Sequence, residues 1–178
     1  MISAGAGLLG VDLDHFGKLA MAAEPGAGGL VLLPYLDGER TPNLPRATGG
    51  LSGLTRANLT APNLARACVE GMLCGLADAV DSLVAQGVRP QRLLLIGGAA
   101  VSPAVRSVAS GLFGLPVHVP AAGEYVAEGA ARQAAWALLR TPDAPDWSNA
   151  DAEVYEAGPQ PHVREAYAAA RAAAYPDL

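Results

Sequence analysis

The sequence is poor in the residues that mark several whole classes of protein. Two cysteines in 178 residues cannot build a disulfide framework. Cys68 and Cys74 fall six apart in one apolar helical pattern, a spacing that suits neither a metal-ligand pair nor a redox pair, so both read as core. His15, His118 and His162 are scattered without ligand spacing, and no metal site is expected. Basic residues are few: 12 Lys and Arg stand against 17 Asp and Glu, for a net charge of -5. No segment is dense in them, which excludes the basic stripe that nucleic acid or an anionic membrane surface requires. Long apolar runs are missing too. None approaches the length that spans a bilayer, and residues 1–5 lack the basic start and apolar continuation of a secretory signal. The expectation is a cytoplasmic protein with small-molecule partners, no nucleic acid and no membrane.

What the chain does contain is apolar surface: 51% of its residues are hydrophobic, enough for one domain with a real core. Much of that is alanine, which predicts a helix-rich core. The organising stretch is Leu93-Leu94-Leu95-Ile96-Gly97-Gly98-Ala99-Ala100-Val101-Ser102. Four aliphatics in a row predict a strand covered on both faces, because a half-exposed strand would alternate apolar with polar. Gly97 and Gly98 then strip side chains from the turn, and Ser102-Pro103 predicts a helix start with a serine N-cap. A backbone without side chains, ending at the amides of a helix N-terminus, suits a phosphate; an ordinary strand-to-helix connection is the other reading of these ten residues.

Along the chain, residues 1–10 read as small and flexible. Asp12 caps a helix over 13–23, which Glu24-Pro25-Gly26 ends. Leu30 to Leu33 predicts a second buried strand, stopped by Pro34. An irregular stretch from Tyr35 to Gly53 carries Asp37, Glu39 and Arg40, and so long a loop in a compact domain is usually functional. Thr60-Ala61-Pro62 opens the longest helix, running to Gln86 with a stripe of Leu64, Ala67, Cys68, Gly71, Leu76, Ala79, Val80 and Leu83, and Gly87 closes it. After the central strand come a helix over 103–113, a strand over 116–119 and a helix over 124–139. Strand, helix and strand in that order imply a parallel pair. Beyond Thr141 the Pro, Asp and Asn content predicts a linker, then an Ala-rich helix over 163–174.

Several segments in order resemble the carboxy-terminal part of the FGGY family of carbohydrate kinases, and within it the xylulokinases. Residues 33–43, Leu-Pro-Tyr-Leu-Asp-Gly-Glu-Arg-Thr-Pro-Asn, resemble a loop of that family, and Gly49 to Glu70 fits its second signature apart from Cys68. Gly97-Gly98-Ala99-Ala100 stands where the family has GGGA, with Ser102 matching a serine. Glu124-Tyr125-Val126 with Gly129 to Trp136 resembles the closing helix. The resemblance implies an α/β fold: a partial actin- and hexokinase-like, ribonuclease H-like ATPase domain, with a mixed sheet and flanking helices. It further implies that residues 1–140 are the C-terminal kinase domain without its first strands, and that 141–178 are a linker and terminal helix packed on it. ATP, with Mg2+ accompanying it, is expected on Gly97, Gly98, Ala99, Ala100 and Ser102. The sugar, the general base and another phosphate loop would belong to an N-terminal kinase domain that these residues do not include, so the chain alone is expected to be inactive, and a homodimer is admitted. Two positions depart from the family: Ala99 replaces its third glycine and Val101 a frequent arginine. A positive backbone angle at Ala99 would strain the turn, whereas a negative one would leave it intact.

Other candidates have plainer readings. Asp37 and Glu39 could form an acid-base pair, but a Glu39–Arg40 pair fixing the loop suffices. Glu70, on an apolar helix, is expected to satisfy buried donors of a neighbouring loop. Glu124 and Glu128 lie at a helix start, where the dipole favours negative charge; Arg132 and Gln133 read as surface groups. Two functions stay open: an ATP-dependent ketopentose kinase of which this chain is the nucleotide-binding half, or a catalytically inactive nucleotide-binding or interaction module.

Overall fold

The computed structural model describes residues 1–147 and 152–176. Helices α1 (Ile2–Leu9) and α2 (Leu13–Ala22) precede the hairpin strands β1 (Val31–Leu33) and β2 (Gly50–Ser52). The long α3 (Ala61–Ala85) leads into β3 (Leu93–Leu94), α4 (Pro103–Phe113), β4 (Val117–Pro120) and α5 (Tyr125–Leu139). The described chain closes with β5 (Ala152–Tyr155) and α6 (Pro161–Ala174). β1 and β2 pair antiparallel. The second sheet has the order β3-β4-β5, with β3 and β4 parallel and β4 and β5 antiparallel.

Helix ends follow the local chemistry. Asp12 accepts the His15 amide at 2.7 Å at the start of α2, and Thr60 accepts the Asn63 amide at 3.3 Å at the start of α3. Past Gln86, Gly87 takes φ +92°, the left-handed conformation in which glycine carries no penalty.

The first ten residues depart from expectation, because they form α1. The small residues that read as flexible are a packing face. Gly5 and Ala6 are buried, and an ideal Cβ on Gly5 would lie 2.9 Å from both Cys68 Sγ and Phe16 Cε2. The stripe on α3 also holds over its first half alone. Residues 65–71 with Leu73, Cys74 and Ala77 are buried, while Ala79 is exposed and Leu76 and Leu83 are about half exposed. The first half is enclosed by α1, α2, α4 and β1. Farther along, polar bonds take over: Arg164 of α6 reaches Asp78 at 3.0 Å and Asp81 at 2.6 Å, and Arg171 also pairs with Asp78.

β3 is shorter than expected and is not buried on both faces. Leu93 and Leu95 pack toward the core, whereas Leu94 and Ile96 are 61% and 45% exposed. α4 covers one face, and α5 has no buried residue. β2 and β5 were not expected; the first lies in the stretch read as irregular and the second in the presumed linker. α6 completes the core, since Tyr167 is buried and its hydroxyl lies 3.1 Å from that of Tyr35, and the Tyr175 hydroxyl donates to the Thr48 carbonyl at 2.7 Å.

α3 crosses β1 at a glycine: a Cβ on Gly71 would stand 2.1 Å from the Leu32 carbonyl oxygen, whereas one on Gly75 would meet only the Tyr167 hydroxyl, at 3.6 Å. The two Gly→Ala substitutions should therefore have opposite signs. Gly75→Ala gains helix propensity and should stabilise by about 0.5–1 kcal/mol. Gly71→Ala must push α3 off β1 and should cost about 1–3 kcal/mol net. Urea unfolding midpoints of the two variants check this.

Candidate functional site

The candidate site grows from the end of β3. Leu93 and Leu95 place the strand against the core, the Leu95 amide donates to the His118 carbonyl at 2.9 Å, and the chain leaves the sheet at Gly97. Gly97 has φ +91° and ψ −180°, a region open essentially to glycine alone. Gly98 to Val101 then form one 3-10 turn, held by Ala100 N–H to the Gly97 carbonyl at 3.0 Å and Ser102 N–H to the Ala99 carbonyl at 3.1 Å. α4 starts directly behind it.

The five expected ligand residues all fall within 97–102, with Val101 between the last two, but their exposure differs. Gly97, Gly98 and Ala99 are exposed and Ala100 is buried. A Cβ built on Gly97 or Gly98 would meet nothing within 4 Å. The turn therefore presents bare backbone to open space, which suits a bulky anionic group. Among the described residues, Ala27 and Arg140 are the non-glycine residues with positive φ, so Ala99 keeps a negative angle and its methyl introduces no backbone strain. Ser102 occupies the N-cap of α4, with Pro103 following, yet its side chain makes no cap hydrogen bond. Its hydroxyl faces α2, 3.7 Å from where a Cβ on Gly17 would sit.

Sequence reasoning missed Arg106. Its Nε donates to the Ala100 carbonyl and its Nη1 lies 3.1 Å from Glu153 Oε2 on β5. The available signal was position: an arginine four residues beyond a helix N-cap lies on the face from which it can fold back onto the preceding turn.

The remaining candidates lie elsewhere. The Glu39 carboxylate accepts the backbone amides of Arg40 and Thr41, at 2.7 and 3.3 Å, rather than the Arg40 guanidinium. Glu70 is 4% exposed and binds Arg66 Nε at 2.6 Å and the Gly26 amide at 2.9 Å; it is a structural carboxylate that closes a neighbouring loop. Glu124 is the N-cap residue of α5 without a side-chain cap bond, and Glu128 lies in the first turn. Arg132 Nε donates to the Pro145 carbonyl at 2.6 Å. An open depression lined by Tyr125, Glu128, Gly129, Arg132 and Trp147 flanks α5 and shares no residue with the glycine turn. Among the described residues no three His, Cys, Asp or Glu side chains are grouped to hold a metal ion, and no helix is long and apolar enough to cross a membrane.

Comparison with known proteins gives the architecture its class and then its family. The xylulose kinase from Bifidobacterium adolescentis superposes with a TM-score of 0.85 at 50% identity, covering 95% of this chain and 33% of that one. Ligand-bound xylulose kinase from Lactobacillus acidophilus follows at 0.78 and 28%, covering 93% of this chain and 35% of that one. The fold is accordingly of the actin-like, ribonuclease H-like α/β class, with a mixed sheet and flanking helices. A family model described as the C-terminal domain of the FGGY family of carbohydrate kinases matches residues 11–138. Among curated proteins, the xylulose kinase of Streptomyces rubiginosus is 44% identical over 157 residues, covering 85% of this chain and 31% of its own length. This chain belongs to the FGGY family of carbohydrate kinases. It spans about a third of the length of the relatives it matches.

Both cysteines are free and buried in the core. Burial pushes the Cys68 thiol up to about 11 and the Cys74 thiol up to about 12. Their thiolates are thus scarce near neutral pH as well as shielded. Reaction with a disulfide reagent at pH 8 should be slower in the folded chain than in urea by about a hundredfold or more, as a thiol titration in the two states would show.

Proposed function

We propose that this chain is the nucleotide-binding part of an ATP-dependent sugar kinase that transfers a phosphoryl group from ATP to the 5-hydroxyl of D-xylulose. The observation that carries the reading is the bare turn at Gly97 and Gly98. It lies in open space between the edge strand β3 and the helix α4, and it belongs to a chain most of whose length aligns with xylulose kinases. In this reading the phosphates rest on the backbone of Gly97 to Ala100, Ser102 adds its backbone at the start of α4 while its hydroxyl faces α2, and Mg2+ arrives with the nucleotide. When bound, ATP supplies the phosphoryl group and its metal neutralises the developing charge. The residues of this chain contribute position: a fixed backbone, free of side chains, that holds an anion and leaves its outer side open to a sugar.

The sugar pocket and the base that takes the hydroxyl proton are assigned to a companion domain. β3 is an edge strand of its sheet, Leu94 within it and Ile96 just beyond it are exposed, and α5 lacks buried residues. Such an edge and apolar face suit cover by further protein. The same features support a second reading, an inactive nucleotide-binding or interaction module. Turnover discriminates the two readings once the companion domain is supplied. The 178-residue chain alone should not phosphorylate xylulose, as an assay coupled to ADP release checks.

Binding at the turn has its own test. Gly98→Ala places a methyl in open space at an ordinary backbone angle, so stability should stay within about 0.5 kcal/mol of the parent. ATP affinity, measured by calorimetry, should nevertheless fall by about 1–3 kcal/mol, because a close backbone approach leaves that methyl no room. Unchanged affinity in the folded variant would make the turn a plain connection.

A further inference from the structure

The glycine turn is tied by a side chain that reaches from α4 to β5. Arg106, at the end of the first turn of α4, donates from Nε to the Ala100 carbonyl and from Nη1 to Glu153 of β5. Glu153 Oε2 also accepts the Tyr155 hydroxyl at 2.6 Å, so the carboxylate is oriented by two donors. Without Arg106, the four-residue turn would hang between a glycine-only conformation at Gly97 and Ser102, on 3-10 hydrogen bonds whose geometry is intrinsically poor. A peptide unit is planar and trans. Fixing the Ala100 carbonyl toward α4 therefore also fixes the opposed Val101 amide, and with it the plane of the exposed backbone. The guanidinium is rigid and planar, and its Nε and Nη1 hydrogens leave along different edges. The position of Glu153 thus sets the orientation in which Ala100 is met. Glu153 lies beyond residues 11–138, the part matched as the family domain.

We propose that Arg106 is the positioning residue of the glycine turn and Glu153 its anchor, so that β5, at the opposite edge of the sheet from β3, sets nucleotide affinity. The inference rests on the nucleotide reading of the turn. Two measurements on the full chain separate them: hydrogen exchange of peptides covering 97–102, which needs no ligand, and ATP titration by calorimetry. Arg106→Met should speed exchange at the Ala100 and Ser102 amides and weaken ATP, each by about tenfold, since it removes a charge-assisted bond to a buried carbonyl. Exchange in β4 should not change. Glu153→Gln, which weakens a partly exposed pair, should cost about two- to fivefold in ATP affinity, and nothing further once Arg106 is Met, because the two act as one unit. Arg106→Lys should recover part of the loss.

Unchanged exchange in Arg106→Met would overturn the proposal. So would faster exchange with unaltered ATP affinity in a protein where Gly98→Ala does lose ATP, since the bracing would then have no bearing on the ligand. If the parent takes up no ATP, or Gly98→Ala binds it as the parent does, the nucleotide reading fails and takes the proposal with it; the exchange result would then stand as a purely structural tie.

Discussion

The packing of the molecule turns on the absence of a side chain at residue 71. Because Gly71 carries none, α3 can rest directly on the backbone of β1, so close that a methyl would fall inside the Leu32 carbonyl oxygen. α1, α2 and α4 then gather around the enclosed half of α3, and α6 ties down the part beyond it. Gly5 lets α1 approach Cys68 and Phe16, and a Cβ on Gly53, at φ +75°, would stand 2.1 Å from the Gly29 carbonyl oxygen. Such contacts cost little when the residue is already small, and they leave few ways to repack. Glu70, next to Gly71, is buried, and its Oε1 accepts from both the Arg66 guanidinium and the Gly26 amide. A buried pair of this kind is a weak source of net stability, whereas loss of one partner would leave the other charge stranded in the core.

That hub determines where the site can be. α4 buries Ala104, Val105, Val108 and Ala109 against α3 and the sheet, which holds the start of the helix still and leaves Arg106 half-buried on a flank. From there it reaches back to Ala100 and across to β5. Phosphoryl transfer asks a protein for position and charge complementarity more than for a nucleophile. A turn that is bare on one side and braced on the other meets the first demand. On the reading proposed above, the reacting groups of the sugar side belong to another body of protein, and the open edge of β3 with its exposed leucine and isoleucine is where this chain is least complete in itself.

Local chemistry written in consecutive residues was legible without the structure. Asp12 and Thr60 announced helix starts, Gly87 an end, and the glycine pair a turn between strand and helix. The motifs carried the family, because Gly97 to Ser102 and the segments around Leu33, Gly49 and Glu124 follow one another in its order. Burial was the weaker inference. An apolar run shows that a strand is greasy, not how many neighbours will cover it, so Leu94 and Ile96 were misjudged. Small residues are ambiguous in the same way: Gly5 and Ala6 suit a floppy terminus as well as a tight helix contact, and only the presence of Phe16 and Cys68 on the other side decides.

The sequence by itself determined the run of elements from α2 through β1, α3, β3, α4 and β4 to α5, the position of the glycine turn and the kinase family, since each is encoded by near neighbours whose preferences depend little on the rest of the chain. Only the tertiary structure decided which half of α3 is enclosed, that β5 joins the sheet, and that Arg106 braces the turn from Glu153. Those outcomes depend on groups 47 residues apart in the last case and on carbonyls approached within contact distance. No local pattern records which distant surfaces will meet.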